Sequence, residues 1–236
     1  MAKTSDGASG VVGAVRAGDA RTALIKAAER LFAERGVNGV SLREITRAAD
    51  QRNTTALQYH FTDRDGLLGA LLVKHGRDVG ARRNTLLDQY EMTGRDDLRA
   101  LAAALVLPLI AKLSDPDGGR EYLRIAAELL NLTNRSVEPG EPAAIVLDDP
   151  GGSVPRWVAL VAPLIPPEAA GPPLHRRFAA MHFAHLELSR RAKDDPAQDQ
   201  RLFTNYLIDL VTAVLAAPVS PETTRILTER DAERHH

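Results

Sequence analysis

The chain has 236 residues, 44% of them hydrophobic, with a net charge of −1 and no cysteine. Disulfides and thiolate metal sites are therefore excluded, and no run of about 18 uncharged apolar residues is present to form a membrane-spanning helix. The near-zero net charge hides an asymmetry: residues 16–83 hold 13 Lys+Arg against 8 Asp+Glu, and residues 84–236 hold 16 against 22. A basic first third on an acidic remainder is the pattern of a chain that meets a polyanion with one end.

Residues 1–18 are rich in Gly, Ala and Ser, lack a sustained apolar core and read as a mobile tail rather than a signal peptide. From there helical periodicity dominates. Residues 20–35 place Leu24, Ile25, Ala28, Leu31 and Phe32 on one face, with Gly36 as the stop. "SLRE" at 41–44 is a capping box that opens a helix running to about Ala49. Asp50 to Asn53 break the pattern, and Asn53 can cap a short helix over 54–60. "TDRD" at 62–65 predicts a cap at Thr62 and a long helix from about 63 to 89. Further helices are expected over 95–114, where Pro108 should introduce a kink, and over 118–132, 154–165, 173–193 and 197–217. The Pro- and Gly-rich stretch 133–153 reads as an irregular excursion. Residues 218–236 read as a polar tail that can hold a short helix, ending in His235 and His236. No internal repeat is visible.

The segment "QRNTTALQYHF", residues 51–61, has helical length but only Leu57 and Phe61 as a clear apolar pair. A helix over 41–49, a four-residue turn and a helix over 54–60 make a helix-turn-helix. Its second helix lies in the DNA major groove. Such a helix needs a few inward anchors and an outer face of donors and acceptors that match base edges and phosphates. Thr54, Thr55, Gln58, Tyr59 and His60 supply that face. Gln58 suits adenine, Arg43 suits guanine O6 and N7, and Tyr59 and His60 suit phosphate oxygens.

Residues 23–72, "ALIKAAERLFAERGVNGVSLREITRAADQRNTTALQYHFTDRDGLLGALL", resemble the DNA-binding domain of TetR-type transcriptional regulators. Ala27–Ala28, Leu31–Phe32, Gly36, Ser41–Leu42, Ile45, Ala49, Leu57, Phe61 and Leu67 carry the resemblance. Two features depart from the family pattern: the turn is one residue longer with Asp50 in place of the common glycine, and Gln58 stands where an aromatic is frequent. The resemblance implies an all-α protein: a three-helix DNA-binding domain (19–66), then a helical ligand-binding and dimerisation domain (67–218), with tails 1–18 and 219–236. It implies DNA contacts from Ser41, Arg43, Thr54, Thr55, Gln58, Tyr59, His60 and Arg64, the last a phosphate contact. It also implies a homodimer and a double-stranded operator, an unknown small organic ligand and a cytoplasmic, non-enzymatic regulator, a repressor, without cofactor.

Helix 197–217 is apolar nearly all round, so it must be buried on more than one side. Phe203, Tyr206, Leu207, Leu210 and Val214 are its candidate dimer residues. Tyr122, Trp157, Phe178, Met181, His182 and His185 are candidates for a mixed apolar ligand pocket, though the same residues suit an ordinary core. His182 and His185 alone make no metal site. No nucleophile elbow, phosphate-binding glycine loop, HExxH or EF-hand loop is present. A helical small-molecule- or lipid-binding protein or enzyme without DNA binding, and a helical adaptor, are the competing readings.

Overall fold

The structure is a computed structural model. It describes residues 7–51, 59–132, 146, 151–194 and 199–234, with side chains from residue 19 onward. Among the described residues there is no strand.

Helix α1 (Gly7–Arg35) begins earlier than its amphipathic face suggests and stops where Gly36 adopts φ 84. A short 3-10 turn at Val37–Gly39 leads into α2 (Leu42–Ala48). The predicted capping box is present. Ser41 Oγ accepts from Glu44 N at 3.3 Å, and Glu44 Oε2 accepts from Ser41 N at 2.9 Å. Asp50 takes φ 54, the left-handed conformation in which glycine is commonest and Asp is tolerated. Residues 52–58, and with them Thr54, Thr55, Leu57 and Gln58, lie outside the described residues.

Helix α3 (Arg64–Thr93) starts one residue later than predicted. Thr62 lies at φ 61 and cannot act as the cap; Asp63 does, its carboxylate accepting from Gly66 N at 2.8 Å. A β-carbon on Gly66 would stand 2.1 Å from the Phe61 carbonyl oxygen, so this close return of the chain requires glycine. The rest of the body is α4 (Leu98–Ile110), α5 (Gly119–Leu132), α6 (Ser153–Val161), α7 (Arg176–Arg191), α8 (Gln200–Ala216) and α9 (Pro221–Arg234). Helix α4 runs through buried Pro108 unbroken and tightens into 3-10 geometry at Ala111–Ser114. The 133–153 excursion falls mostly outside the described residues.

One apolar core runs through the chain. Leu24, Ala28, Phe32, Ile45, Phe61, Leu67 and Leu71 form its N-terminal end. There α1 packs on α2, α3 and α5. In the body α5 packs on α7 and α8 packs on α4. Trp157 is fully buried among them, its indole N–H donating to the Leu101 carbonyl at 2.8 Å.

The junction between the two ends is polar and closed. Glu29 of α1 is 3% exposed. Its Oε1 accepts from Lys74 Nζ and from His75 Nε2, both of α3 and both at 2.9 Å. Lys74 also donates to the Asp117 carbonyl at 2.8 Å, and Asp115 Oδ2 stands 3.9 Å from His75 Nδ1. Gly118, at φ 87, presses close enough that a β-carbon there would lie 2.4 Å from Glu29 Oε2. Tyr122 of α5 stacks on the His75 ring with centroids 4.9 Å apart. A buried carboxylate is tolerated because it has two donors and cationic company.

Candidate nucleic-acid interface

The outer edge of the helix-turn-helix is visible at both ends of the undescribed stretch. Arg43 is exposed on α2, and its neighbours Leu42 and Ile45 turn inward. The alternation places a guanidinium on the solvent side of the helix that precedes residues 52–58. Ser41 is exposed, but its hydroxyl is engaged: it donates to Glu44 Oε2 at 2.7 Å as part of the cap. The hydrogen bonds from Ser41 and the nearby Arg35 hold the Glu44 carboxyl below the ordinary carboxylate range. Ser41 therefore shapes the start of α2 first of all.

At the far end, residues 59–61 are helical. Tyr59 is 81% exposed and Phe61 is 5% exposed. Two residues apart on one helical segment, the two rings point to solvent and to core. His60 is half-buried between them: its ring meets Tyr59 edge-on at 5.0 Å and lies 6.0 Å from Phe61. The segment thus keeps polar tips outward on an apolar footing, the arrangement needed for a groove.

Arg64 is placed differently from a free phosphate-binding cation. Its guanidinium lies over the Phe32 ring, 5.5 Å from the centroid, and Nε and Nη2 are shut off from solvent without a hydrogen-bond partner. Such a residue contributes to packing of the domain as well as to charge. Sequence reasoning missed Arg21, which stands over the Phe61 ring at 5.2 Å. It also missed the Glu29 junction, because both features pair residues far apart in the chain.

In the body, the six candidate pocket residues lie on α5, α6 and α7. Tyr122 belongs to the junction with His75, and Trp157 bonds Leu101. Phe178 and His182 keep ring contact at 6.0 Å on α7, and His182 Nε2 is buried without a partner. Met181 is buried, and its carbonyl accepts from Nδ1 of buried His185 at 2.8 Å. Burial, with Arg83 and His182 nearby, pushes the His185 imidazole down to about 4. Clefts of about 210, 290 and 310 Å³ are lined by other residues, the largest by Ala33, Arg124, Glu128, Leu186 and Lys193 among others.

On α8, Tyr206 is 59% and Leu202 70% exposed, and Phe203, Leu210 and Val214 are half-buried. Leu207 corrects the expected interface set: at 1% exposure it fills the chain's own core. The helix therefore has one face committed inward and another carrying uncovered apolar side chains.

Comparison with known proteins fits this geometry. Residues 24–71 match the family model described as bacterial regulatory proteins, tetR family. No curated protein matches. A tetR-family transcription regulator from Shewanella sp. PV-4 superposes with a TM-score of 0.55 at 17% identity, over 84% of this chain and 99% of that one. That likeness shows a shared fold across both ends of the molecule. A TetR-family regulator from Rhodococcus sp. gives 0.44 at 23% identity over 83% and 99%. NalD of Pseudomonas aeruginosa, the secondary repressor of the MexAB-OprM multidrug efflux pump, gives 0.43 at 21% over 85% and 98%. Residues 24–71 therefore carry a tetR-family domain, and beyond them the chain is likened to such regulators by fold alone.

Proposed function

We propose that the chain is a repressor that grips a pseudo-palindromic operator as a homodimer and lets go when a small organic molecule binds its helical body. The observation that carries the DNA side of this reading is the split between Tyr59 and Phe61, one ring in solvent and the next but one in the core. A reading segment anchored by Phe61 leaves Thr54, Thr55, Gln58, Tyr59 and His60 as its base- and phosphate-facing set. Arg43 is the guanine reader, and Arg64 a lesser phosphate contact held against Phe32.

Dimerisation through α8, with Tyr206, Phe203, Leu210 and Val214 at the seam, would set two reading segments about 34 Å apart, one turn of duplex. Ligand would act by preferring a conformer with different spacing, and can weaken DNA binding only by its differential affinity for the two conformers. Phe178, His182 and the buried His182 Nε2 mark the side of α7 where a ligand with a hydrogen-bonding group would be received.

The test is selection of bound duplexes from a random pool, followed by titration of candidate ligands into the complex. Recovery of an inverted repeat with half-sites one turn apart supports the reading. A protein that retains no duplex at low salt overturns it. A ligand that binds tightly yet leaves operator affinity unchanged overturns the release mechanism alone.

A further inference from the structure

Arg21 is exposed on α1, and its guanidinium stacks over Phe61 at 5.2 Å. Phe61 is the inner end of a row of rings: Phe61 to His60 at 6.0 Å, then His60 to Tyr59 at 5.0 Å. The outer end of that row, Tyr59, is in solvent. So a cation from the first helix sits at the foot of the segment that reads DNA, joined to it by successive ring contacts.

Two physical points give this placement a use. A guanidinium stacked on a ring engages its flat face and leaves the N–H edge in the plane free to bond elsewhere. That edge suits a phosphate, which accepts two parallel N–H bonds from it. Among the described residues no carboxylate pairs with Arg21, whose side chain is exposed. Arg64 offers a contrast on the same domain: it also stacks on a phenylalanine, but two of its nitrogens are shut away from solvent.

We propose that Arg21 is a further residue of the DNA interface, binding a backbone phosphate beside the reading segment with its free edge while its face holds Phe61, and through it His60 and Tyr59, in position. Resting as it does on the DNA-binding reading above, it adds a contact outside the helix-turn-helix itself. A phosphate contact strengthens binding to all sequences alike and adds to the salt dependence, whereas a base contact changes sequence choice.

The experiment is fluorescence anisotropy of the full chain with a pool-selected duplex and an unrelated duplex, across a salt series, beside thermal melting of each protein. Arg21→Gln is expected to lose several-fold affinity for both duplexes and to flatten the slope of log K against log salt by about 1.8, the loss of one phosphate contact from each of the two copies. Arg21→Lys, which keeps the charge, is expected to keep the wild-type slope. A wild-type slope and affinity in R21Q overturns the proposal while leaving the DNA-binding reading intact. A wild-type protein that binds neither duplex overturns both. Should R21Q melt early, R21M, which keeps an aliphatic chain against the ring, takes its place, and a wild-type slope in that folded variant is equally fatal.

Discussion

In the operator-binding reading proposed above, Arg43 and Gln58 are the side chains on which sequence choice would turn. Arg43 stands in solvent on α2. Replacing either with Ala should relax preference at one base pair by about 1–3 kcal/mol, read by competition between operators differing at single positions. His185 makes a prediction of a different kind. Its folded pKa is about 4 against an ordinary 6.5, so the folded state resists a proton that the unfolded chain accepts. Stability from this group is present above pH 6.5 and is lost as pH falls from there toward 4, to a total of about 3 kcal/mol. Urea midpoints at pH 7 and pH 5 should therefore fall further apart in the wild type than in His185→Gln. Equal pH dependence in the two proteins would show that His185 is not buried as described.

Elements were legible where their signals are local. The capping box at Ser41 and Glu44, the stop at Gly36 and the face of Leu24, Ala28, Leu31 and Phe32 depend on neighbours within one or two turns, and each was readable from spacing. The start of α3 was misplaced by one residue because Thr62 adopts a positive φ, which no residue pattern announces for a threonine. Arg64 read as a phosphate contact by motif position, yet its stacking on Phe32 depends on how α3 docks against α1. Helical spacing set Met181 beside His185 but said nothing of what faces Tyr122 or Trp157. At this scale Ser41→Ala should cost about 1 kcal/mol in chemical denaturation, since Glu44 N loses its hydroxyl acceptor while the backbone N–H of residue 41 keeps its bond to Glu44. Gly66→Ala should cost more, about 1–3 kcal/mol, because the added carbon meets backbone rather than a yielding side chain.

For the whole molecule, the all-helical character was readable from periodicity and the two-part division came from the family resemblance, while the surface proposed to join two copies was readable only in part. An apolar helix such as α8 declares that it is buried on several sides, but not which residue meets which side; Leu207 is spent on the chain's own core. Charged substitutions on the outward face, Leu202→Glu with Tyr206→Glu, should halve the mass seen by light scattering and weaken operator binding, with little change in helicity. The same changes at no cost to mass would move the seam elsewhere.

The carboxylate of Glu29 has a mechanical consequence. It is held by Lys74 and His75 and hemmed in by Gly118, so the first helix, the connecting helix and the turn before α5 share one anchor. Bending the molecule at this neck would strand a charge away from water, at a cost on the order of 3–5 kcal/mol. Each arm should therefore behave as a stiff lever, and in the proposed dimer the gap between two arms should open or close at the pivot where the copies meet.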